Sequence, residues 1–208
     1  MGESWAQLFS AGIVIGLMAI MIRLMDDFLD EWVDELRGIK TVGAQLGSAT
    51  LPYCLALFTV SAALLSKLTI VLFLAAYGVG MANDLHRRLP TGLKGRHEAL
   101  LALTFGTLTQ GIAAMLWAFS LMLALQCGDD FLDYYQDKRV GNYNLSQRIG
   151  RVETVLLTGC SLILSLMLGP FLTICALLAV GAVHILLPHV RLENERQVFT
   201  ARGKDDDR

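Results

Sequence analysis

Residues 5–34 read WAQLFSAGIVIGLMAIMIRLMDDFLDEWVD, an apolar run that ends in a cluster of acidic side chains. An apolar run of about 18 residues or more is long enough to cross a bilayer as a helix. Four further apolar stretches, 48–66, 68–82, 99–127 and 152–190, alternate with short polar segments. Only 17% of the 208 residues are charged, whereas an ordinary soluble domain carries about 25%. These features predict a helical integral membrane protein.

The apolar stretches predict about seven transmembrane helices in one domain over residues 1–190, followed by a polar cytoplasmic tail over 191–208. The predicted spans are 6–25, 48–66, 68–83, 98–110, 112–128, 152–168 and 171–190. A charge at Ser66-Lys67 and a turn signal at Gly169-Pro170 separate neighbouring spans. The expected fold class is all-α, a polytopic helical bundle.

The distribution of basic residues predicts the orientation. With seven crossings, every one of the 17 lysines and arginines except Lys67 lies at one membrane face. Because basic residues concentrate in cytoplasmic loops, this face is predicted to be cytoplasmic, with the N-terminus outside. We expect the membrane to be a bacterial plasma membrane. Residues 99–127 must cross twice under this topology, and we expect a hairpin near Gln110-Gly111, since a single crossing would put basic residues on the wrong face.

Two acidic segments repeat one pattern at an offset of 103 residues. Residues 26–34 read DDFLDEWVD and residues 129–137 read DDFLDYYQD, and Gly38 and Gly47 recur as Gly141 and Gly150. An even number of predicted crossings separates the copies, so both reach the same face in the same direction. The repeat therefore predicts two pseudo-repeated halves around a central cavity, with the acidic clusters facing one another.

The spacing within each segment predicts a metal site. Carboxylates at i, i+3 and i+7 share one face of a helix, and like charges this close repel unless a cation lies between them. Oxygen ligands without nearby His or Cys favour Mg²⁺, with Mn²⁺ as an alternative. A solvated, charged helix end is the competing interpretation. The predicted ligands are Asp27, Asp30, Asp34, Asp130, Asp133 and Asp137.

A basic loop separates the two acidic segments. Residues 83–96 read NDLHRRLPTGLKGR, with Lys94 and Arg96 nearest the next helix. The loop is either a determinant of topology or a set of donors for an anionic substrate, and one residue can serve both roles.

These motifs resemble those of the UbiA-type intramembrane prenyltransferases. The family's first motif, N/D-D-x-x-D-x-x-x-D, is similar to residues 26–34, and its second, D-x-x-D-x-x-x-D-x-x-x-G, is similar to residues 130–141. Residues 141–150 also resemble the family's following segment, so the resemblance covers about 26–150. Family members are usually longer and have more spans, and their basic segment after the first motif is reduced here to residues 37–40.

The resemblance implies Mg²⁺-dependent transfer of a prenyl group from an isoprenyl diphosphate to an aromatic or other lipophilic acceptor, inside membrane lipid and without nucleic acid. It implies that Lys94, Arg96 and Lys138 stabilise the departing pyrophosphate. The implied substrate-binding residues are Asp26, Arg37, Tyr77, Tyr134 and Tyr135, with the two last tyrosines facing an allylic cation or simply packing.

Two alternatives remain open. A membrane-embedded terpene synthase would ionise the same diphosphate and cyclise it without an acceptor. A divalent-cation transporter would need ionisable groups at membrane depth, and the predicted spans carry almost none apart from His184.

Overall fold

The computed structural model describes residues 5–37, 39–81, 85–141, 144–187 and 190–191, and this part of the chain is almost entirely α-helical. Two-residue strands, β1 (Ile39–Lys40) and β2 (Val190–Arg191), pair antiparallel and are a small exception to the predicted all-α class. A 3-10 turn at Gly47–Ala49 precedes the fourth helix. The ten helices are α1 Trp5–Leu29, α2 Glu31–Arg37, α3 Val42–Leu46, α4 Thr50–Gly80, α5 Gly95–Gln110, α6 Ile112–Leu132, α7 Tyr134–Val140, α8 Leu145–Ile149, α9 Arg151–Leu168 and α10 Pro170–Leu186.

Four segments of the described chain are long and apolar enough to cross a membrane: Trp5–Leu29, Val42–Gly80, Ile112–Leu132 and Arg151–Leu168. Pro170–Leu186 is apolar but shorter, and α5 has 16 residues. Large apolar side chains such as Ile163 and Leu178 are exposed on these helices, as expected where lipid is the solvent. By length and composition, four described segments can cross a membrane, fewer than the seven spans predicted. Residues 192–208 of the predicted tail lie outside the described residues.

The helix breaks lie close to the predicted positions. The predicted spans 48–66 and 68–83 form the single run α4, interrupted at Leu65, where φ is −144° and ψ is 81°. Gly111, with φ of 95°, separates α5 from α6, and such a backbone conformation favours glycine. A Cβ on Gly106 would lie 2.6 Å from Sδ of Met115, so α5 and α6 pack closely on either side of the break.

The core lies between the long helices. Helix α1 packs against α4 and α10, and α6 packs against α4 and α9. The indole nitrogen of Trp117 on α6 donates a 2.9 Å hydrogen bond to Oγ1 of Thr173 on α10. A Cβ on Gly169 would lie 3.0 Å from the Trp117 ring, so the chain between α9 and α10 passes directly against this indole. One polar contact and one glycine thus fix three helices together.

The short elements that follow the acidic segments recur in the backbone as well as in the sequence. Helices α7 and α8 begin and end 103 residues after α2 and α3. Thr41 and Asn144 cap α3 and α8 through their side-chain oxygens. Each short helix ends at a glycine with positive φ, Gly47 (54°) and Gly150 (105°). Helices α2 and α7 contact each other, so both copies meet at the same end of the bundle.

The predicted topology can be tested by labelling single cysteines in a background without the four native ones. Lys67 lies beside the break in α4, Gln136 lies in the second acidic segment, and all three of Lys67, His86 and Gln136 are exposed. The predicted topology places His86 at the same membrane face as Gln136. We expect a membrane-impermeant maleimide added outside intact cells to label Lys67→Cys and to leave His86→Cys and Gln136→Cys unlabelled until the membrane is opened. Opposite accessibility of His86→Cys and Gln136→Cys would contradict the double crossing by residues 95–132.

Candidate functional site

The acidic segments lie where α1 and α6 end and where α2 and α7 begin. Because α2 and α7 contact each other, the two segments approach one another. Asp26 lies close enough to Asp30 of its own segment and to Asp129 of the other for both charges to act on it. Asp26 and Asp129 are equivalent positions of the two copies. The charges of the first aspartates of the two copies therefore act on each other.

Each acidic segment divides into buried and accessible carboxylates. The exposed fractions are 4% for Asp27, 7% for Asp34, 7% for Asp130 and 3% for Asp137. In contrast, Asp26, Asp30 and Asp129 are exposed and Asp133 is half-buried. A buried carboxylate is costly unless it accepts hydrogen bonds or pairs with a cation, so the buried set requires protein partners.

Asp27 holds the short helix α3 against α1. Its Oδ1 lies 3.0 Å from Nε of Arg23, one helical turn earlier. Its Oδ2 accepts a 3.4 Å hydrogen bond from the backbone amide of Gly43. A Cβ on Gly43 would lie 2.6 Å from Cβ of Asp27, so only glycine permits this approach. The carboxylate thereby satisfies an amide at the start of α3, which no intrahelical carbonyl could reach.

Asp130 does the same for α8 in the second copy. Its Oδ1 accepts from Nε2 of Gln126 at 3.1 Å, and its Oδ2 accepts from the amide of Leu145 at 2.9 Å. The side-chain amide of Asn144 donates to the Asp130 carbonyl at 3.0 Å and to Oδ2 of Asp137 at 2.7 Å. Two of the three predicted ligands in this copy are therefore bound to protein groups.

The structure does not assemble the six predicted metal ligands into one cluster. Within the described residues, no three His, Cys, Asp or Glu side chains stand together in a position to hold a metal ion. The helical spacing predicted that Asp27, Asp30 and Asp34 share one environment. Instead, Asp27 and Asp34 are buried, Asp27 beneath α3, and Asp30 is exposed.

The basic residues lie near the start of α5 and on α7. Lys94 is half-buried and forms a backbone bridge with Arg88, which closes the turn before α5. Arg96 is exposed, and its amide donates to the Leu85 carbonyl at 3.2 Å. Lys138 is exposed on α7 beside Asp137. The described contacts do not link Lys94 or Arg96 to the aspartates, and the side chain of Arg37 lies outside the described part of the structure.

Tyr77 bonds to an acid that the sequence did not single out. Its hydroxyl donates to one carboxylate oxygen of Glu98, and the hydroxyl of Thr91 donates to the other. Glu98 therefore ties the basic loop and α5 to the end of α4. Beside it lies an open, mostly apolar cleft of about 290 Å³, lined by Phe73, Leu74, Tyr77, Glu98, Leu101 and Ala102.

The rings of Tyr134 and Tyr135 pack against the guanidinium group of Arg151. The guanidinium carbon of Arg151 lies 5.3 Å from the centroid of the Tyr134 ring and 5.0 Å from that of Tyr135. Nη1 of Arg151 also donates a 2.9 Å hydrogen bond to the Tyr135 hydroxyl. In the structure these rings pack against Arg151, and that they also face a substrate cation stays a prediction.

Comparison with protein-family models, with curated proteins and with solved structures finds no match for this chain. The functional assignment therefore depends on the motifs and on the arrangement of the residues described above.

The division of the aspartates predicts unequal effects of their loss on the free energy of unfolding. Asp130→Ala leaves the amide of Leu145 without its acceptor, and we expect the free energy of unfolding to fall by about 1.5–3 kcal/mol. Asp26→Ala removes an exposed carboxylate that Asp30 and Asp129 repel, so its effect should stay within about 0.5 kcal/mol. Unfolding both variants in detergent with EDTA present measures the difference, and equal losses would contradict the anchoring role of Asp130.

Proposed function

We propose that this chain is a Mg²⁺-dependent intramembrane prenyltransferase that moves a prenyl group from an isoprenyl diphosphate to an aromatic or other lipophilic acceptor. One observation carries the proposal: two copies of one acidic segment meet at the same end of an apolar helical bundle, with Asp26 and Asp129 in electrostatic reach of each other. The proposal includes seven crossings, an outer N-terminus and a cytoplasmic site.

In this proposal Mg²⁺ draws the accessible aspartates, Asp26, Asp30, Asp129 and Asp133, together when it binds, because they do not stand together as a metal-binding group in the described part of the structure. Their hard oxygen donors fit that ion, and the mutual repulsion of Asp26, Asp30 and Asp129 favours a cation between them. The buried aspartates, Asp27, Asp34, Asp130 and Asp137, support the site by fixing the chain that follows each segment. When bound, Mg²⁺ would neutralise part of the negative charge of the diphosphate.

The basic residues act on the leaving group. Breaking the allylic C–O bond leaves its electron pair on the diphosphate, so negative charge grows there as the bond lengthens. Lys94, Arg96 and Lys138 lie in the predicted cytoplasmic segments, and donors placed where charge develops lower the barrier. The apolar helices exclude water, which would otherwise capture the allylic cation.

One feature favours transfer over cyclisation. The cleft beside Tyr77 combines apolar walls with the carboxylate of Glu98, and a carboxylate with free lone pairs accepts hydrogen bonds from a hydroxyl. A lipophilic acceptor with a hydroxyl group fits this combination, whereas a hydrocarbon cyclase has no need of it.

The metal assignment predicts that Asp30→Ala and Asp133→Ala abolish transfer while the protein stays folded in detergent. Incubation with a labelled prenyl diphosphate, Mg²⁺ and a panel of quinone precursors measures product, and EDTA should stop the reaction. Gln136→Ala is the matched control, because Gln136 is an exposed, uncharged residue within the second acidic segment. Normal turnover by both aspartate variants would refute the metal site, and cyclic hydrocarbons in place of transfer products would identify a terpene synthase.

The leaving-group assignment predicts a different kinetic signature for the basic residues. Lys94→Ala and Arg96→Ala should lower the turnover by about 10²–10³, the usual cost of one well-placed electrostatic donor, with little change in the Mg²⁺ concentration for half-maximal rate. Arg96→Lys should restore little of the lost turnover if Arg96 contacts the departing pyrophosphate through two parallel hydrogen bonds, because an ammonium group cannot form that pair.

The control for this experiment is Arg88→Ala, which removes an exposed charge from the same loop. Rates measured against Mg²⁺ concentration decide the outcome. If Lys94→Ala and Arg96→Ala both stay within about twofold of the unaltered protein, the loop is a topology signal only.

A further inference from the structure

Arg151 is held in a fixed position at the end of the bundle that carries the acidic segments. It is the first residue of α9, and its guanidinium carbon lies 5.2 Å from the centroid of the Phe131 ring as well as about 5 Å from those of Tyr134 and Tyr135. The rings of Tyr134 and Tyr135 meet edge to face, with centroids 5.2 Å apart. Three rings and one hydrogen bond therefore restrict a side chain that is otherwise highly mobile.

Most of the donors of this guanidinium remain available. An arginine carries five N–H donors, and the described structure uses one of them, for the Tyr135 hydroxyl. No carboxylate among the described residues forms an ion pair with Arg151. Because the planar fork matches two oxygens of a phosphate, and because its rotamer is already fixed, binding an anionic phosphate would order little more of the protein.

The surroundings of Arg151 are apolar and exposed. Leu132, Val152 and Leu156 have exposed fractions of 75%, 69% and 63%. Only 17% of the residues of α9 are buried inside the protein. Tyrosines and arginines in such a position are typical of the boundary between the hydrocarbon and the headgroups. A phosphate that reaches Arg151 here would carry acyl chains that cover the neighbouring leucines and valine.

The first copy of the repeat lacks this arrangement. At the same offset, Ser48 stands for Arg151, Glu31 for Tyr134 and Trp32 for Tyr135. The first copy therefore has no cation at this position, and its Glu31 would repel an anion. An arginine held by aromatic rings therefore occurs only in the second copy of the repeat, beside α6 and α9.

We propose that Arg151, held by Phe131, Tyr134 and Tyr135, forms a membrane-boundary site for the phosphate of an anionic phospholipid. The site adjoins the second acidic segment through Phe131 and Tyr134, but lipid binding there needs no catalytic activity. It gives the second acidic segment a lipid contact that the first does not have.

The test measures lipid retention by the purified protein. The protein is extracted from vesicles of equal parts phosphatidylglycerol and phosphatidylcholine, and the lipids retained are counted by native mass spectrometry. We expect preferential retention of phosphatidylglycerol, reduced about tenfold by Arg151→Ala, since a charge-assisted hydrogen bond to a buried or fixed partner is worth that much. The matched control, Arg139→Ala, removes an exposed charge from neighbouring α7 and should change retention by less than about twofold.

Two further measurements separate the alternatives. The double variant Tyr134→Leu/Tyr135→Leu keeps the charge of Arg151 but releases its fork, and it should lose most of the preference while the protein stays folded. Inorganic phosphate in excess should not displace the lipid, because it cannot cover the apolar neighbours. Equal retention by Arg151→Ala and Arg139→Ala, or full displacement by inorganic phosphate, would overturn the proposal.

Discussion

The described structure depends on carboxylates buried where a membrane helix ends and the chain turns back. A buried carboxylate loses its water and must gain donors from the protein. Asp27 and Asp130 gain them from the first amides of α3 and α8 and from a side chain one turn earlier in their own helix. The same bonds satisfy amides that the short helices leave without partners. Neither the charge nor the short helix is stable in this position without the other.

This dependence explains why the acidic segments can be dense without being unstable. The buried members form part of the scaffold, and their charge is compensated by Arg23 in the first copy and by neutral amides in the second. Among the accessible members, Asp26 is repelled by Asp30 and Asp129, and such repulsion favours a bound cation. The four aspartates of each segment thus take two roles, because two of them are buried and two are accessible.

The sequence predicted the helical class, the helix breaks near Ser66 and at Gly111, and the recurrence of the acidic segments, because each depends on local composition and spacing. It did not predict the division of the aspartates, since helical periodicity places Asp27, Asp30 and Asp34 on one face and does not show that α3 packs against Asp27. Glu98 and Arg151 were missed for the same reason: their partners, Tyr77 and Tyr135, lie 21 and 16 residues away. Thr41 and Asn144, at equal positions in the two copies, were the signal that could have revealed the capped short helices.

The small sheet has a practical consequence for handling the protein. The register of β1 and β2 pairs Ile39 with Arg191, so the last described residue lies next to the strand that follows α2. The described chain therefore ends on the side of the bundle where the acidic segments meet, whereas α1 begins at the far end of a 25-residue helix. A purification tag or fluorescent reporter placed ahead of α1 would keep clear of the candidate site, and one joined directly to β2 would crowd it.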